Sequence, residues 1–337
     1  MKVAMIGSGS WGTALALVLN ENKHEVVCWT KDDKVVETVR ESGENSRYLP
    51  GIKIPASISF TSNLEESMRG ADMVINAVPS QVSRDVISKI PEKYFTDKQI
   101  WVTVSKGIEN NTYKRVSEVI AEAGGIDPRR VVALSGPSHA EEVARRIPTA
   151  IVSASIELDS ARKVQDAFMT PYFRVYANDD VTGVELGGAL KNIIALAAGI
   201  CDGAGFGDNT KAALITRGLV EMNRLGKKMG ARSDTFAGLS GMGDLIVTCM
   251  SQHSRNRYVG EQIGKGRSLQ EILDEMVMVA EGVKTTLSAY ELSQKYKVEM
   301  PITEQIYLTL FENKPPHDAM VDLMTRESKV EDWGKSQ

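Results

Sequence analysis

The feature that most constrains the fold of this chain is a run of glycines near its start, Gly7-Ser8-Gly9-Ser10-Trp11-Gly12, with the spacing G-x-G-x-x-G. An apolar stretch at residues 3–6 precedes this run, and an apolar, helix-favouring stretch at residues 13–19 follows it. This order predicts a strand, a tight turn and a helix. A β-rich stretch at residues 25–29 then completes a strand–helix–strand unit.

Each glycine of this turn has a physical reason in a dinucleotide-binding unit. Gly7 allows the tight turn, Gly9 lets the backbone approach a pyrophosphate, and Gly12 lets the helix pack closely on the strand. The free N–H groups at the start of the helix attract the phosphate charge. A glycine-rich turn without a ligand is the alternative, but the flanking elements favour a dinucleotide site.

Buried strands and helices alternate along the first half of the chain. Strands are predicted at residues 72–78, 100–104, 131–134 and 150–152, with helices between them. After Asp180 the β-rich stretches nearly disappear and helical patterns dominate. The chain is therefore predicted to be α/β, with a Rossmann-type, doubly wound parallel sheet followed by an all-helical C-terminal domain. We place the dinucleotide-binding domain at residues 1–180 and the helical substrate-binding and catalytic domain at residues 181–337.

Charge and cysteine content limit the other function classes. The net charge is −4 and the pI is about 5.8, so no strongly basic surface for nucleic acid is expected. The three cysteines, Cys28, Cys201 and Cys249, are far apart, and the four histidines show no ligand spacing, so neither a disulfide framework nor a metal site is expected. No signal peptide or membrane-spanning run is evident, which predicts a soluble, cytoplasmic protein without membrane insertion.

The residues after the second predicted strand indicate which dinucleotide is preferred. An NAD site usually carries Asp or Glu there, to accept hydrogen bonds from the adenine ribose, but this chain has Trp29-Thr30-Lys31. A cation at Lys31 can pair with the 2′-phosphate of NADP, so we expect NADP to be preferred and NAD to be the other candidate. The alternative is that Lys31 is a solvated residue and that Asp32 or Asp33 contacts the ribose.

Three polar segments occupy positions that suit a substrate site. Lys106 and the segment Gly136-Pro137-Ser138 each follow a predicted parallel strand, where ligands bind in open sheets. A surface lysine and a serine-capped turn are the alternatives. Lys191 lies in a predicted helix that is apolar nearly all round and should be buried. Its ammonium either reaches the surface or is held in a cleft by a polar partner.

A phosphate site is predicted further along the chain. A glycine-dense loop at residues 238–243 leads to Asp244, and Ser254-Arg255-Asn256 follows as a helix start with Ser254 as the cap. Free N–H groups, the helix dipole and a forked cation then meet at one point. A capped, solvated helix start is the alternative, and this is the interpretation that we adopt for Arg257.

Taken together, these residues resemble the bacterial-type NAD(P)-dependent glycerol-3-phosphate dehydrogenase family across nearly the whole chain. The motifs that carry the resemblance occur in the family's order, and they are Gly7-x-Gly9-x-Trp11-Gly12, Ser105-Lys106-Gly107, Ser135-Gly136-Pro137-Ser138, residues 185–192, residues 238–244 and Ser254-Arg255-Asn256-Arg257. Six separated motifs make coincidence implausible.

The resemblance implies a role for each site residue. Lys191 would be the catalytic acid and base, and the substrate would be held by Lys106, Gly136, Ser138, Asp244, Ser254, Arg255 and Asn256. Besides Gly7, Gly9 and Gly12, the cofactor would be contacted by Ser10, Trp11, Lys31, Tyr48, Lys106, Ala140, Arg255, Val279 and Glu281. The roles of Val279 and Glu281 rest on the resemblance alone.

The reaction that the resemblance implies is hydride transfer between the nicotinamide and C2 of dihydroxyacetone phosphate, which gives sn-glycerol 3-phosphate for phospholipid synthesis. Lys191 would supply the proton, Lys106 a second positive charge, and Asp244 would orient Lys191. The partner is thus a phosphorylated triose, and a homodimer is left open. Two rivals are a related two-domain hydroxy-acid dehydrogenase, against which the phosphate site argues, and a catalytically silent NADP sensor.

Overall fold

The computed structural model of the chain describes residues 1–328, 330 and 331. The chain divides into two compact units. The first comprises Met1–Ser105 and Lys114–Val181, and the second comprises Lys106–Tyr113 and Thr182–Gln337. The short segment Lys106–Tyr113 therefore belongs to the unit of the C-terminal helices, although its place in the sequence is within residues 1–180.

The first unit is built on an eight-stranded sheet with the strand order β3-β2-β1-β4-β5-β6-β7-β8. Its strands are β1 (Lys2–Ile6), β2 (Glu25–Trp29), β3 (Ile58–Thr61), β4 (Met73–Asn76), β5 (Ile100–Thr103), β6 (Val131–Ser135), β7 (Thr149–Ala154) and β8 (Phe173–Asn178). Its helices are α1 (Ser10–Glu21), α2 (Asp33–Ser42), α3 (Leu64–Met68), α4 (Ser83–Ile87), α5 (Val116–Gly124), α6 (Ala140–Ala144) and α7 (Leu158–Phe168). The order of the first six strands confirms the predicted Rossmann-type topology.

One pair of strands departs from the predicted parallel arrangement of the sheet. β6 and β7 run antiparallel, whereas β1 to β6 are parallel to one another and β8 is parallel to β7. The connecting helix α6 has only five residues, and a helix of that size is about 7.5 Å long. A five-residue strand such as β6 is about 17 Å long, so α6 is too short to cover it in the way that a crossover helix between parallel strands does.

Alternate residues of each central strand are buried on opposite faces of this sheet. In β1, Val3 and Met5 belong to one apolar cluster, while Ala4 and Ile6 belong to another. Helices α1 and α7 contribute to the first cluster, and α5 contributes to the second. Burial on both faces explains why the central strands have continuous apolar sequences.

Every regular element among the described residues after Asp180 is helical, as predicted. Its helices are α8 (Val181–Ala204), α9 (Asp208–Lys228), α10 (Ser233–Ala237), α11 (Asp244–Met250), α12 (Arg255–Gly264), α13 (Leu269–Glu275), α14 (Glu281–Tyr296), α15 (Pro301–Phe311) and α16 (Pro316–Met324). Helix α8 is long and apolar enough to cross a membrane, but its most apolar stretch is entirely buried inside the protein. Helix α8 is therefore a core helix.

Glycines allow α8 and α12 to approach each other closely. A Cβ atom on Gly199 of α8 would lie 2.0 Å from the carbonyl oxygen of Arg257. A Cβ atom on Gly260 of α12 would lie 2.0 Å from the carbonyl oxygen of Leu196. Because no side chain fits at these contacts, the two backbones lie against each other, and polar residues on the two helices can meet directly.

Candidate active site

Two lysines of the second unit share one buried carboxylate. The Nζ of Lys191 donates to Oδ1 of Asp244 at 2.6 Å, and the Nζ of Lys106 donates to Oδ2 of the same residue at 2.7 Å. Lys191 is 5% exposed and Asp244 is 1% exposed. Of the two alternatives for Lys191, the structure shows the one in which its ammonium is held by a polar partner.

Thr248 completes this cluster. It lies one helical turn after Asp244 on α11, so both side chains are on the same face of the helix. Its hydroxyl donates to the carbonyl oxygen of Asp244 at 2.6 Å and accepts from the Nζ of Lys191 at 2.6 Å. Since the hydroxyl proton is used on Asp244, Thr248 accepts a hydrogen bond from Lys191 and thereby fixes the direction of the ammonium.

Burial and the neighbouring charges perturb both groups. Burial lowers the pKa of Lys191 to about 8, Asp244 acts to raise it, and Lys106 lowers it further. Burial acts to raise the pKa of Asp244, but the two lysines outweigh it and hold that pKa below its usual value. Asp244 is therefore ionised at neutral pH, while Lys191 can release its proton near neutral pH.

The glycine-dense loop brings Asp244 to Lys191. A Cβ atom on Gly187 of α8 would lie 2.5 Å from the carbonyl oxygen of Ser240, so the loop packs directly on the backbone of α8. The π-helical turn Leu239–Gly243 then leads into α11, whose first residue is Asp244. Lys191 is four residues after Gly187 and lies on the same face of α8.

A chain of hydrogen bonds connects this cluster to the start of α14. Asn192, next to Lys191 on α8, donates to the carbonyl oxygen of Lys106 at 3.0 Å. Asn256 of α12 donates to Oδ1 of Asn192 at 3.0 Å and accepts from the backbone N–H of Gly282 at 2.9 Å. These bonds fix the backbone of Lys106 relative to α8, α12 and α14.

The predicted helix start at residues 254–256 is present. Ser254 caps α12, since its hydroxyl accepts from the backbone N–H of Arg257 at 3.2 Å. Arg255 is the first helical residue, and its Nη1 donates to the carbonyl oxygen of Val279 at 2.7 Å. Glu281 is the first residue of α14. The structure therefore brings Arg255 and Val279 together.

The prediction that Arg257 is a solvated residue is wrong. Its side chain is only 18% exposed, and its Nε and Nη2 atoms lie 2.8 and 2.7 Å from Oδ2 of Asp202 at the end of α8. The same guanidinium also faces Glu261, one turn along α12. Arg257 is thus a paired residue that joins two helices, a contact across 55 positions that the helix-start pattern does not contain.

The glycine turn of the first unit has the geometry that a dinucleotide requires. Gly7 has a φ of +111°, and a Cβ atom on Gly12 would lie 2.1 Å from the carbonyl oxygen of Gly7. At Gly9, by contrast, no atom lies within 4 Å of the Cβ position, so this glycine is not required by packing. Helix α1 starts at Ser10 with no side-chain cap and no acidic residue in its first turn.

Two buried polar atoms beside this turn, Oγ of Ser8 and Nε1 of Trp11, have no hydrogen-bond partner among the described residues. An open position at Gly9, uncapped N–H groups and unpartnered polar atoms together fit a bound pyrophosphate. The residues present therefore suit a dinucleotide cofactor.

The end of β2 places the residues that were expected to select the dinucleotide. Lys31 is exposed, and Thr30 is buried and accepts a hydrogen bond from the backbone N–H of Asp32 at 3.2 Å. Asp32 caps α2 by accepting from the backbone N–H of Lys34 at 3.1 Å. Tyr48 packs against the apolar cluster that also contacts Trp11.

The segment after β6 is held by its own local geometry. Gly136 has a φ of +148°, and a Cβ atom there would lie 2.9 Å from the Cα of Ile151. The hydroxyl of Ser138 donates to the carbonyl oxygen of Gly136 at 2.8 Å, and Ala140 is the first residue of α6. The alternative of a serine cap is wrong, because the N-cap residue of α6 is His139 and its side chain makes no capping bond.

Thr248, Asn192 and Asn45 are polar residues of these sites that the sequence analysis missed. The spacing of four residues between Asp244 and Thr248 on a helix could have identified Thr248. Asn192 follows Lys191 directly and could have been found as a second polar residue in an apolar helix. Asn45 donates to the carbonyl oxygen of Ser8 at 2.8 Å, and no local sequence pattern predicts this contact.

Comparisons with known proteins agree with this geometry. The family model described as "NAD-dependent glycerol-3-phosphate dehydrogenase N-terminus" matches residues 2–161, and the corresponding C-terminus model matches residues 180–321. The glycerol-3-phosphate dehydrogenases (NAD(P)+) of Geobacter sp. (strain M21) and Chlorobium phaeobacteroides (strain BS1) are 54% and 52% identical, over 98% of this chain and 98% and 99% of theirs. The crystal structure of glycerol-3-phosphate dehydrogenase from Coxiella burnetii is 38% identical, with a TM-score of 0.91 over 96% of this chain and 98% of that one.

Proposed function

The chain belongs to the NAD-dependent glycerol-3-phosphate dehydrogenase family, and on that premise we propose that Lys191 is its catalytic acid and base. The chain is an NAD(P)-dependent oxidoreductase that interconverts dihydroxyacetone phosphate and sn-glycerol 3-phosphate. The observation that carries the assignment of Lys191 is its buried ammonium, which Asp244 and Thr248 hold in one direction.

A bound nicotinamide cofactor supplies or accepts the hydride at C2 of the substrate. The glycine turn of the first unit receives the pyrophosphate, with Gly9 open to it and the N–H groups of α1 uncapped. The residues that we assign to cofactor contacts are Gly7, Gly9, Ser10, Trp11, Gly12, Lys31, Tyr48 and Ala140 in the first unit, and Lys106, Arg255, Val279 and Glu281 in the second.

Lys191 donates and accepts the proton that the reaction transfers. In the reduction, the C2 oxygen of dihydroxyacetone phosphate becomes negative as its carbon gains the hydride, and Lys191 donates a proton from Nζ to that oxygen. Asp244 and Thr248 orient the ammonium, and Lys106 adds a second positive charge that stabilises the developing alkoxide. In the oxidation, neutral Lys191 takes the proton back. A pKa near 8 leaves both protonation states accessible.

The start of α12 holds the substrate phosphate. Arg255 offers a forked cation, and the first N–H groups of this ten-residue helix add the positive end of its dipole. Asn256 is joined through Asn192 to the backbone of Lys106, so the phosphate site and the proton-transfer cluster share one hydrogen-bonded frame. The remaining substrate contacts that we assign are Gly136, Ser138 and Ser254.

Four further assignments go with this activity. The first unit binds the dinucleotide and the second carries proton transfer and phosphate binding. NADP is the preferred cofactor, because a cation rather than an acid follows Thr30. The product supplies phospholipid synthesis in the cytoplasm. A homodimer is the candidate assembly.

The activity is tested by following NADPH and NADH oxidation with dihydroxyacetone phosphate, dihydroxyacetone and a 3-oxo acid as substrates. We expect turnover with dihydroxyacetone phosphate and a loss of more than a hundredfold in kcat/KM for the compound without phosphate, because remote binding energy positions C2. Turnover of the 3-oxo acid at a comparable kcat/KM would instead favour a hydroxy-acid dehydrogenase.

A further inference from the structure

The carboxylate at the end of β2 is already engaged within the protein. Asp32 follows β2 closely, in the region from which an acid receives hydrogen bonds from the adenine ribose in NAD-binding Rossmann domains. Its Oδ1 accepts from the backbone N–H of Lys34 at 3.1 Å, and its Oδ2 forms an ion pair with the guanidinium of Arg47. Asp32 is therefore a helix cap whose charge is compensated by Arg47.

Tertiary contacts hold the segment that carries Arg47 beside the glycine turn. Two residues before Arg47, the amide of Asn45 donates to the carbonyl oxygen of Ser8 at 2.8 Å and to the hydroxyl of Thr13 at 2.9 Å. Asn45 is 1% exposed. The backbone near Arg47 is thus fixed to the turn that receives the pyrophosphate, and the position of its guanidinium does not depend on the pair with Asp32 alone.

The guanidinium of Arg47 remains accessible to a ligand. Its side chain is 50% exposed, and its central carbon lies over the ring of Tyr48, 5.3 Å from the centroid. The contact with Asp32 is made by Nη1, and a guanidinium has five N–H donors arranged as a planar fork. Such a fork matches the oxygens of a phosphate better than the single ammonium of Lys31 does.

We propose that Arg47 determines the preference for a dinucleotide with a 2′-phosphate. It compensates the charge of Asp32, which would otherwise repel that phosphate, and it offers the phosphate a forked cation in addition to Lys31. The inference rests on the proposed function, because it names the part of the dinucleotide that this residue contacts.

The direct test is the binding of adenosine 2′,5′-bisphosphate and of 5′-AMP to the full-length protein, measured by isothermal titration calorimetry without turnover. In Arg47→Leu we expect the affinity for the bisphosphate to fall at least tenfold and the affinity for 5′-AMP to change less than twofold. Arg47→Lys, which keeps the charge without the fork, should lie between wild type and Arg47→Leu. Arg40→Leu, which removes an exposed arginine of α2, is the matched control and should change neither affinity.

A double variant separates the two effects of Arg47. If Arg47 also contacts the phosphate, Asp32→Asn/Arg47→Leu binds the bisphosphate at least threefold more weakly than Asp32→Asn. Equal affinities in these two proteins, or equal losses for both probes in Arg47→Leu, would overturn the proposal. Failure of the proposed function looks different, since the wild type would then still discriminate the two probes but would not reduce dihydroxyacetone phosphate with either cofactor.

Discussion

The ammonium of Lys191 lies 2.6 Å from the carboxylate of Asp244, although the two residues are 53 positions apart. The same carboxylate also holds Lys106, so one negative charge faces two positive charges in a buried site. The cluster has a surplus positive charge at a place where few solvent molecules can screen it. This surplus lowers the cost of deprotonating Lys191 and attracts an oxygen that is becoming negative, and both effects are required of a residue that moves a proton to and from an alkoxide.

Replacement of this lysine tests the assignment directly. In Lys191→Ala we expect kcat to fall at least a hundredfold, because a general acid contributes about 10²–10⁴-fold, while the affinity for NADPH stays within twofold. Steady-state kinetics and NADPH fluorescence titration measure the two quantities. Lys228→Ala, at an exposed lysine of α9, is the control. A Lys191→Ala protein that keeps more than a tenth of the wild-type kcat would exclude Lys191 as the proton donor.

The two reaction directions should have opposite pH profiles. Reduction needs protonated Lys191, so its kcat should decrease above about pH 8, whereas oxidation needs neutral Lys191 and should increase through the same pH. Asp244 raises the pKa of Lys191 and Lys106 lowers it. The midpoint should therefore shift to lower pH in Asp244→Asn and to higher pH in Lys106→Met. Shifts in the same direction in both variants would contradict the shared-carboxylate arrangement.

Two neighbouring arginines on α12 should differ sharply in their effects. Arg255→Ala should raise KM for dihydroxyacetone phosphate at least tenfold with a smaller change in kcat, because the phosphate is dianionic in both the ground state and the transition state. Arg257→Ala should leave KM nearly unchanged and lower the thermal midpoint, because it breaks the pair with Asp202. Kinetics and thermal unfolding of both variants decide the matter. Equal KM values in the two variants would place the phosphate elsewhere.

The buried Glu221 should make folding stability depend on pH. Its carboxylate accepts from the backbone N–H groups of Ile302 and Thr303 at the start of α15, and burial, which outweighs these bonds, raises its pKa to about 7. The folded state then binds a proton more tightly than the unfolded state, whose pKa is near 4.5. The contribution of Glu221 is greatest below pH 4.5, and it is lost as the pH rises towards 7, by at most about 3 kcal/mol.

Urea unfolding at pH 5 and pH 7.5 measures this dependence. Glu221→Gln loses the same hydrogen bonding at both pH values. Its free energy of unfolding should therefore not decrease between pH 5 and pH 7.5 as that of the wild type does. Glu304→Gln, at an exposed glutamate of α15, is the control and should follow the wild type. Parallel decreases in wild type and Glu221→Gln would show that other groups cause the pH dependence.

Local patterns predicted the glycine turn, the central strands and the capped start of α12, because each depends on residues that are close in sequence. The direction of β7 could not be predicted, since a buried strand has the same apolar composition whether it runs parallel or antiparallel to its neighbour. The edge strands β3 and β8 were also missed. β3 is buried only at its two end residues, unlike the equally short β4 and β5, and β8 is buried only at alternate positions near its start.

The partners of the site residues were harder to predict than their identities. The alternatives for Lys191 stayed open because its partner Asp244 comes from another helix, and the position of that helix depends on the close packing of Gly187 and Ser240. The pairing of Asp32 with Arg47 was missed for a similar reason, since the two residues are 15 positions apart and helix α2 lies between them.

The choice of cofactor can be tested at the loop after β2, where Thr30 and the exposed Lys31 stand in place of an acid. If Lys31 pairs with a 2′-phosphate, the wild type should have a higher kcat/KM with NADPH than with NADH. Lys31→Asp should reverse this order, because the new carboxylate repels the phosphate and accepts hydrogen bonds from the ribose hydroxyls. In the wild type, the charge of Asp32 is compensated by Arg47 and its Oδ1 caps α2, so a new carboxylate at position 31 adds a repulsion that Asp32 does not provide.

Salt provides the second arm of this experiment. An exposed lysine–phosphate pair is screened over about 8 Å at physiological ionic strength, so added salt should reduce the NADPH advantage more than it reduces NADH turnover. Kinetics with both cofactors at two salt concentrations, on wild type and Lys31→Asp, measure the effect, and Lys34→Asp at an exposed lysine of α2 is the control. A Lys31→Asp protein that still prefers NADPH would show that Lys31 is only a solvated residue and would leave Arg47 as the cation that selects the 2′-phosphate. A wild type that prefers NADH would show instead that Asp32, Asp33 or Tyr48 governs the adenine ribose site.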